Sequence, residues 1–372
     1  MVWGEEMKAG KPDLFIFLAT LSLLILGVVM VTSASYPKAL SASNGADPFA
    51  FGKKQLVFAI LSLGMMMAMI NFDYHHYRGL TVLFAVLAPI FLVLVLFFGE
   101  EINGSRRWFD LKILNFQPSE LAKLALIFVL AHYLSEIGPE VRRFSTGIFI
   151  PLIYLGLICG LIMMEPDLGT TIVIFAIFFT MLFSAGVRLS HLFFLGLSAL
   201  GAGAALIIQE QYRLERLLSF IDPMKDPKGS GWQIIQSLMA LGSGGIFGLG
   251  LGRSRQKFFY LPEPHTDYVF SIIGEELGLL GTVLILIIFF FLAWRGYKTA
   301  LSTTDSYGSL LAVGITSWIV FQALMNIAVV TATIPATGIT LPLLSYGGSS
   351  LGVTMMSLGI LMNISRDLGG KV

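Results

Sequence analysis

The sequence predicts an all-α integral membrane protein of about ten transmembrane helices, and three observations carry that reading. Of 372 residues, 56% are hydrophobic and only 13% charged, against about 25% charged in a soluble domain, and the mean hydropathy is +0.81. The apolar residues fall in runs of about 17 to 25, the length a helix needs to cross hydrocarbon. Most connections are short, as in Asn71-Phe-Asp-Tyr-His-His-Tyr-Arg78 and Gly186-Val-Arg-Leu-Ser190, which suits tight turns between neighbouring helices.

The runs centre on residues 12 to 34, 55 to 72, 79 to 98, 118 to 135, 147 to 164, 169 to 186, 190 to 208, 267 to 294, 308 to 331 and 347 to 364. The first is too long for a signal-peptide core and reads as an uncleaved helix. An even number of crossings places both termini on one side. Residues 1–372 therefore read as a single polytopic domain, broken by one large loop, 209–266, between spans 7 and 8. Within that loop Asp222-Pro-Met-Lys-Asp-Pro-Lys-Gly-Ser230 is turn chemistry. Ser230 with Gln233 has capping-box spacing, predicting an amphipathic, interfacial helix through Ile234, Ile235, Leu238 and Met239. Gly242-Ser-Gly-Gly245, Gly248, Gly250 and Gly252 then follow. No Gly-Lys-Ser/Thr succeeds them, so nucleotide binding is a poor reading, and close packing or a mobile lid fits better.

Charge narrows the function. A net charge of +1 gives no basic surface for nucleic acid, the five histidines lack metal-ligand spacing, and the lone Cys159 lies in an apolar run as core filler. With cytoplasmic termini, ten Lys and Arg lie inside and six lie outside in the shorter loops, which makes the 209–266 loop extracytoplasmic. Cations nevertheless remain on the outer face as Arg106-Arg107 and as Arg253-Ser-Arg-Gln-Lys257. Such clusters suit phosphate or pyrophosphate; the competing reading is loop charges snorkelling near headgroups.

Polar insertions interrupt the spans at four further places. Asp267 stands where a charged loop enters an apolar helix that also carries Glu275 and Glu276. An acid there is a functional candidate, although Thr266 and Asp267 also suit a helix N-cap. Gln117-Pro-Ser-Glu-Leu-Ala-Lys123 opens the fourth span with Pro118 at a helix start and Glu120 and Lys123 one turn apart. That pair reads either as an intrahelical ion pair or as part of a polar cavity. Glu165-Pro-Asp167-Leu-Gly-Thr170 and Ser345-Tyr-Gly-Gly-Ser-Ser350 complete the set, bringing Asp167, Ser345, Tyr346 and Ser349 to the same outer side.

Taken with Asn103-Gly-Ser-Arg-Arg-Trp108, Asp226-Pro, the Tyr260-Leu-Pro-Glu-Pro-His-Thr-Asp267 run, Glu275-Glu-Leu-Gly278 and Pro335-Ala-Thr-Gly338, these motifs resemble, in order and over nearly the whole chain, the SEDS family of shape, elongation, division and sporulation proteins. The Arg253 to Glu263 segment is more similar to the division and sporulation branch (FtsW, SpoVE) than to the elongation branch (RodA). The resemblance implies a ten-helix peptidoglycan glycosyltransferase of the bacterial plasma membrane acting on lipid II at the outer leaflet, with a class B penicillin-binding protein and other divisome membrane proteins as partners. It implies that Asp267 is catalytic and that Trp108, Arg106, Glu120, Lys123 and Asp167 support substrate binding.

The chemistry agrees with these residue types. Joining lipid-linked disaccharides needs a base on a sugar hydroxyl and charge compensation for a departing undecaprenyl pyrophosphate. Asp267 suits the first task. Lys123, Arg106, Arg107, Arg253 and Lys257 suit the second, directly or with a divalent ion such as Mg or Mn. A lipid II flippase and a pure division scaffold are the competing classes; the first also needs a polar cavity, and the second leaves the intramembrane charges unused.

Overall fold

The computed structural model describes residues 10–102, 104–112 and 115–366, so residues 1–9, Asn103 of the 103–108 motif and Lys371 lie outside the described residues. Asp13 caps α1 (Leu14–Ala42), its carboxylate accepting from the amides of Phe15 and Ile16 and pairing with Arg295. Next come α2 (Ala50–Asn71) and α3 (His76–Phe98). A small antiparallel sheet, β1 (Glu100–Ile102), β2 (Ser105–Asp110) and β3 (Asn115–Phe116), follows in the order β1-β2-β3. Pro118 opens α4 (Pro118–Ile137), where its missing amide costs no hydrogen bond. Then come α5 (Ile150–Met164) behind a π turn, α6 (Leu168–Ser184), α7 (Leu189–Gln209), α8 (Gln211–Ile221), α9 (Trp232–Ser243), α10 (Val269–Ser302), α11 (Ser306–Val330) and α12 (Gly348–Ser365).

Nine of the described helices are long and apolar enough to cross a membrane, and α6, at 17 residues, is a shorter apolar helix. Each predicted span thus falls on a helix, with α8 and α9 left over. Three boundaries move by more than a turn: α1 runs two turns beyond residue 34, α2 starts at Ala50 and α10 runs on to Ser302. The sheet and α8 are additions, since the strands are very short and α8, at 11 residues, interrupts its apolar positions with Arg213, Glu215 and Arg216. Gly10 N donates to Arg366 O at 3.0 Å and Asp13 N to Ser365 Oγ at 2.9 Å, so the two ends of the described chain meet at one end of the bundle. The starts of α4, α6, α10 and α12 therefore share the opposite end.

Helix α9 begins one residue later than the capping-box expectation. Its N-cap is Gly231, because Asp226 collects the Gly229 and Ser230 amides and the Ser230 hydroxyl in a turn of its own. Ile234, Ile235 and Ser237 face inward, while Leu238 and Met239 are exposed, so the apolar residues do not form one stripe. Ser237 takes the core position through hydrogen bonds with Ser271 Oγ (2.8 Å) and Val330 O (2.7 Å).

The glycine run wedges into a broken α10. At Gly278 the helix leaves helical geometry (φ 68°), and the opened backbone is satisfied by the 245–250 strap: Leu249 N donates to Glu275 O (2.9 Å), Gly250 N to Glu276 O (3.0 Å) and Leu279 N to Gly245 O (2.9 Å). Irregular backbone at this depth survives only when so paired. Gly248 is obligatory, since it adopts φ +79° and a Cβ there would lie 2.1 Å from Glu276 O.

Candidate active site

Asp267 is presented by three clamped carbonyls in a row. Tyr346 N donates to His265 O (2.8 Å), Ser345 Oγ to Thr266 O (2.6 Å) and Asn326 Nδ2 to Asp267 O (2.7 Å). Asn326 also holds Ile339 O at 2.7 Å, and Gln322, one turn earlier on α11, holds Thr340 O at 3.2 Å. The non-helical 331–347 segment and the entry to α10 are thus fixed against the same helix. Fixing a backbone this way preorganises the side chain it carries. Gly338, at φ +73°, comes close enough that a Cβ would be 3.6 Å from Asp267 Oδ2, so only glycine keeps that side of the carboxylate open without strain.

The Asp267 carboxylate forms no hydrogen bond or ion pair with the described residues. It does not cap α10, whose N-cap is Tyr268 without a side-chain bond. It is partly open to solvent although densely enclosed by protein, and that burial, with the charges of Glu263 and Asp167, raises its pKa to about 6 against the opposing pull of Arg107 and Arg216. Burial removes the water that would solvate the anion.

Arg107 is the β2 arginine that reaches this site. Its Nε donates to Glu165 O (2.8 Å) and its Nη2 to Pro166 O (2.7 Å), with Nη1 3.8 Å from Asp167 Oδ2. Asp167 itself caps α6, accepting from Thr170 N and Thr170 Oγ1, both at 2.9 Å. Glu165 is fully buried with both carboxylate oxygens unpartnered; burial first, and then Asp167, push its pKa to about 9 against the pull of Arg107. It is therefore a neutral acid at physiological pH, and Asp267 is the ionised one. His265 is held neutral by burial and by Lys38, its pKa lowered to about 4 despite Glu263.

Several expected contacts are spent elsewhere. Arg106 alternates to the other face of β2, where it is exposed and pairs with Glu101 at 3.4 Å, because successive strand residues point oppositely. Trp108 is half-buried beside the Arg107 guanidinium, 6.0 Å from its ring centre. Lys123 is buried and donates to Glu120 Oε1 (2.9 Å) and Gln322 Oε1 (2.7 Å) over the Trp318 ring (4.8 Å), which engages two of its three N–H donors and leaves Glu120 Oε2 buried without a partner. Lys257 is likewise buried, bonded to Glu276 Oε1 (2.8 Å) and Ser33 Oγ (3.0 Å). The Arg253 to Lys257 cluster thus splits, with Lys257 inside and Arg253 exposed. Ser345, through its hydroxyl, and Tyr346, through its amide, fasten the Thr266 and His265 carbonyls, and Tyr346 and Ser349, the latter in the first turn of α12, are partly exposed. Among the described residues no three His, Cys, Asp or Glu side chains come together to hold a metal ion.

Sequence reading missed Arg216 on α8, Asn326, Gln322 and Trp318. The last three recur at four-residue spacing in an apolar helix, a polar stripe that marks an internal face.

A bundle of apolar helices that holds the clamped, unpaired Asp267 carboxylate near Arg107 at one end defines a polytopic membrane protein with a polar site at that end. The chain belongs to the FTSW_RODA_SPOVE family of cell cycle proteins, whose sequence model matches residues 13–369. It is 48% identical over 364 residues to stage V sporulation protein E of Bacillus subtilis (strain 168), covering 96% of this chain and 98% of that one. It is 40% identical over 366 residues to a probable peptidoglycan glycosyltransferase FtsW of Trichlorobacter lovleyi, covering 98% and 96%. Among solved structures it resembles a chain of a peptidoglycan synthase complex described as coordinating polymerization and crosslinking (TM-score 0.77, 30% identity, 96% and 98% coverage). It also resembles the rod shape determining protein RodA of Thermus thermophilus (TM-score 0.72, 31% identity, 96% and 97% coverage). These identities support placement in the division and sporulation branch.

Proposed function

We propose that this chain is a peptidoglycan glycosyltransferase that polymerises lipid II into glycan strands during bacterial division or sporulation. The observation that carries the reading is the Asp267 carboxylate: held by three backbone clamps, free of protein partners, flanked by Arg107 and Arg216, and poised near pH 6. A base works best with a pKa close to the operating pH. Asp267 takes the proton of the acceptor sugar hydroxyl as that oxygen bonds to the donor anomeric carbon, with inversion. The bond from that carbon to undecaprenyl pyrophosphate breaks, and the pyrophosphate departs with the electron pair. Arg107, with its guanidinium fixed by two carbonyls, and Arg216 offset the negative charge.

The site faces the cell exterior, with the termini in the cytoplasm, as the distribution of Lys and Arg favours. A class B penicillin-binding protein supplies the crosslinking partner; support comes from the likeness to a chain of a synthase complex that coordinates both activities. The test is reconstitution of the purified chain with lipid II, scored separately for glycan strands and for leaflet transfer. Strands that vanish with Asp267→Asn are expected. Leaflet transfer without strand formation would instead make the chain a flippase.

A further inference from the structure

We propose that the groove beside α9 binds one anionic phospholipid whose phosphate is held by Arg253 and Arg255 and whose headgroup hydroxyl bonds Gln256, phosphatidylglycerol being the simplest such molecule. The segment 252–257 is strapped to α10 by its inward groups: Glu276 accepts from Gly252 N, Ser254 N and Lys257 Nζ, and Glu275 accepts from Ser254 Oγ, Arg255 N and Gln256 N. That strapping leaves the Arg253 and Arg255 side chains pointing outward, exposed and without an ion pair among the described residues. Glu276 is seven residues into α10, about 10 Å along its axis, in a stretch buried from Val269 to Glu276, so the strap rather than α10 presents the arginines at the surface. Exposed Leu251, Phe258 and Phe259 surround them. Cations on such a surface extend their heads toward lipid phosphates.

The cavity has the matching shape. About 640 Å³ is lined by Trp232, Met239, Arg253, Arg255, Gln256 and Tyr260 among others. A wholly apolar slot of about 360 Å³, formed by Pro223, Met224, Ile235, Leu238 and the same Met239, adjoins it and takes an acyl chain. Gln256 Oε1 is buried without a partner; being an acceptor, it needs a donor that a bare phosphate diester lacks and a glycerol headgroup has. Neither Asp267 nor Arg107 lines this groove, so the inference stands apart from the polymerase reading.

The experiment is native mass spectrometry of the purified full-length chain titrated with phosphatidylglycerol or phosphatidylcholine. One phosphatidylglycerol per chain is expected to persist while phosphatidylcholine washes off. The R253Q/R255Q double variant should lower its occupancy at least about tenfold, the loss of one or two charge-assisted bonds, without changing the thermal midpoint of lipid-free protein. M239E, which keeps both arginines but obstructs the slot, should also lose the lipid. Equal retention by R253Q/R255Q and wild type, equal retention of phosphatidylcholine, or full displacement by millimolar inorganic phosphate would each overturn the proposal.

Discussion

Replacing Asp267 by Asn separates its chemical role from any structural one, because the two roles move stability in opposite directions. The folded protein raises the Asp267 pKa from 3.8 to about 6, about two units at about 1.4 kcal/mol each. Ionisation thus costs up to about 3 kcal/mol, reduced to about 1 to 2 kcal/mol by the carboxylate's partial contact with water. A raised carboxylate pKa subtracts stability progressively between pH 3.8 and about 6, and by a constant amount above that. Asp267→Asn should therefore melt no lower than wild type at pH 7.5, and a few degrees higher by the usual conversion. The advantage should shrink as pH falls through that window. Glycan synthesis from lipid II should fall about 100- to 10,000-fold, the worth of a general base, and the wild-type kcat/KM should rise through an ascending limb near pH 6. Thermal shift in detergent and gel-resolved glycan products measure both. A variant that polymerises at near-normal rate, or that melts well below wild type at pH 7.5, would show that the carboxylate holds the fold and not the reaction.

Three other perturbations test the surroundings. Arg107 lowers the Asp267 pKa, so Arg107→Gln should move the ascending limb of kcat/KM to higher pH; an unmoved midpoint would separate Arg107 from the base. Lys257→Met leaves Glu276 buried without its cation, and should cost about 3 to 5 kcal/mol; adding Glu276→Gln should recover part of it in a thermal double-mutant cycle, and strictly additive losses would refute the coupling. Lys123→Met should likewise destabilise by about that amount by stranding Glu120, with Glu120→Gln restoring part. Intact stability with lost activity would return Lys123 to the substrate.

Asp267, Asp167 and the Glu120–Lys123 pair could be singled out in the sequence because an ionisable group in an apolar run has few bland explanations. Their neighbours could not. Arg107 and Arg106 are adjacent and chemically identical, and only the pleat of a short strand decides that the former meets Asp167 while the latter pairs with Glu101. Lys257 and Arg253 looked like one cationic cluster until the strapping of their segment to Glu275 and Glu276 turned one inward and left the other exposed.

By itself the sequence determined the predominantly helical membrane architecture, the ten apolar runs that fall on helices and the end of the bundle at which the polar insertions gather. These follow from run length and crossing parity, which depend on nothing beyond hydrocarbon thickness and helix rise. Tertiary structure decided which charge is free. Whether a carboxylate is capped, paired or open depends on residues tens to hundreds of positions away, such as Asn326 and Ser345 clamping the backbone around Asp267. No local pattern encodes that geometry.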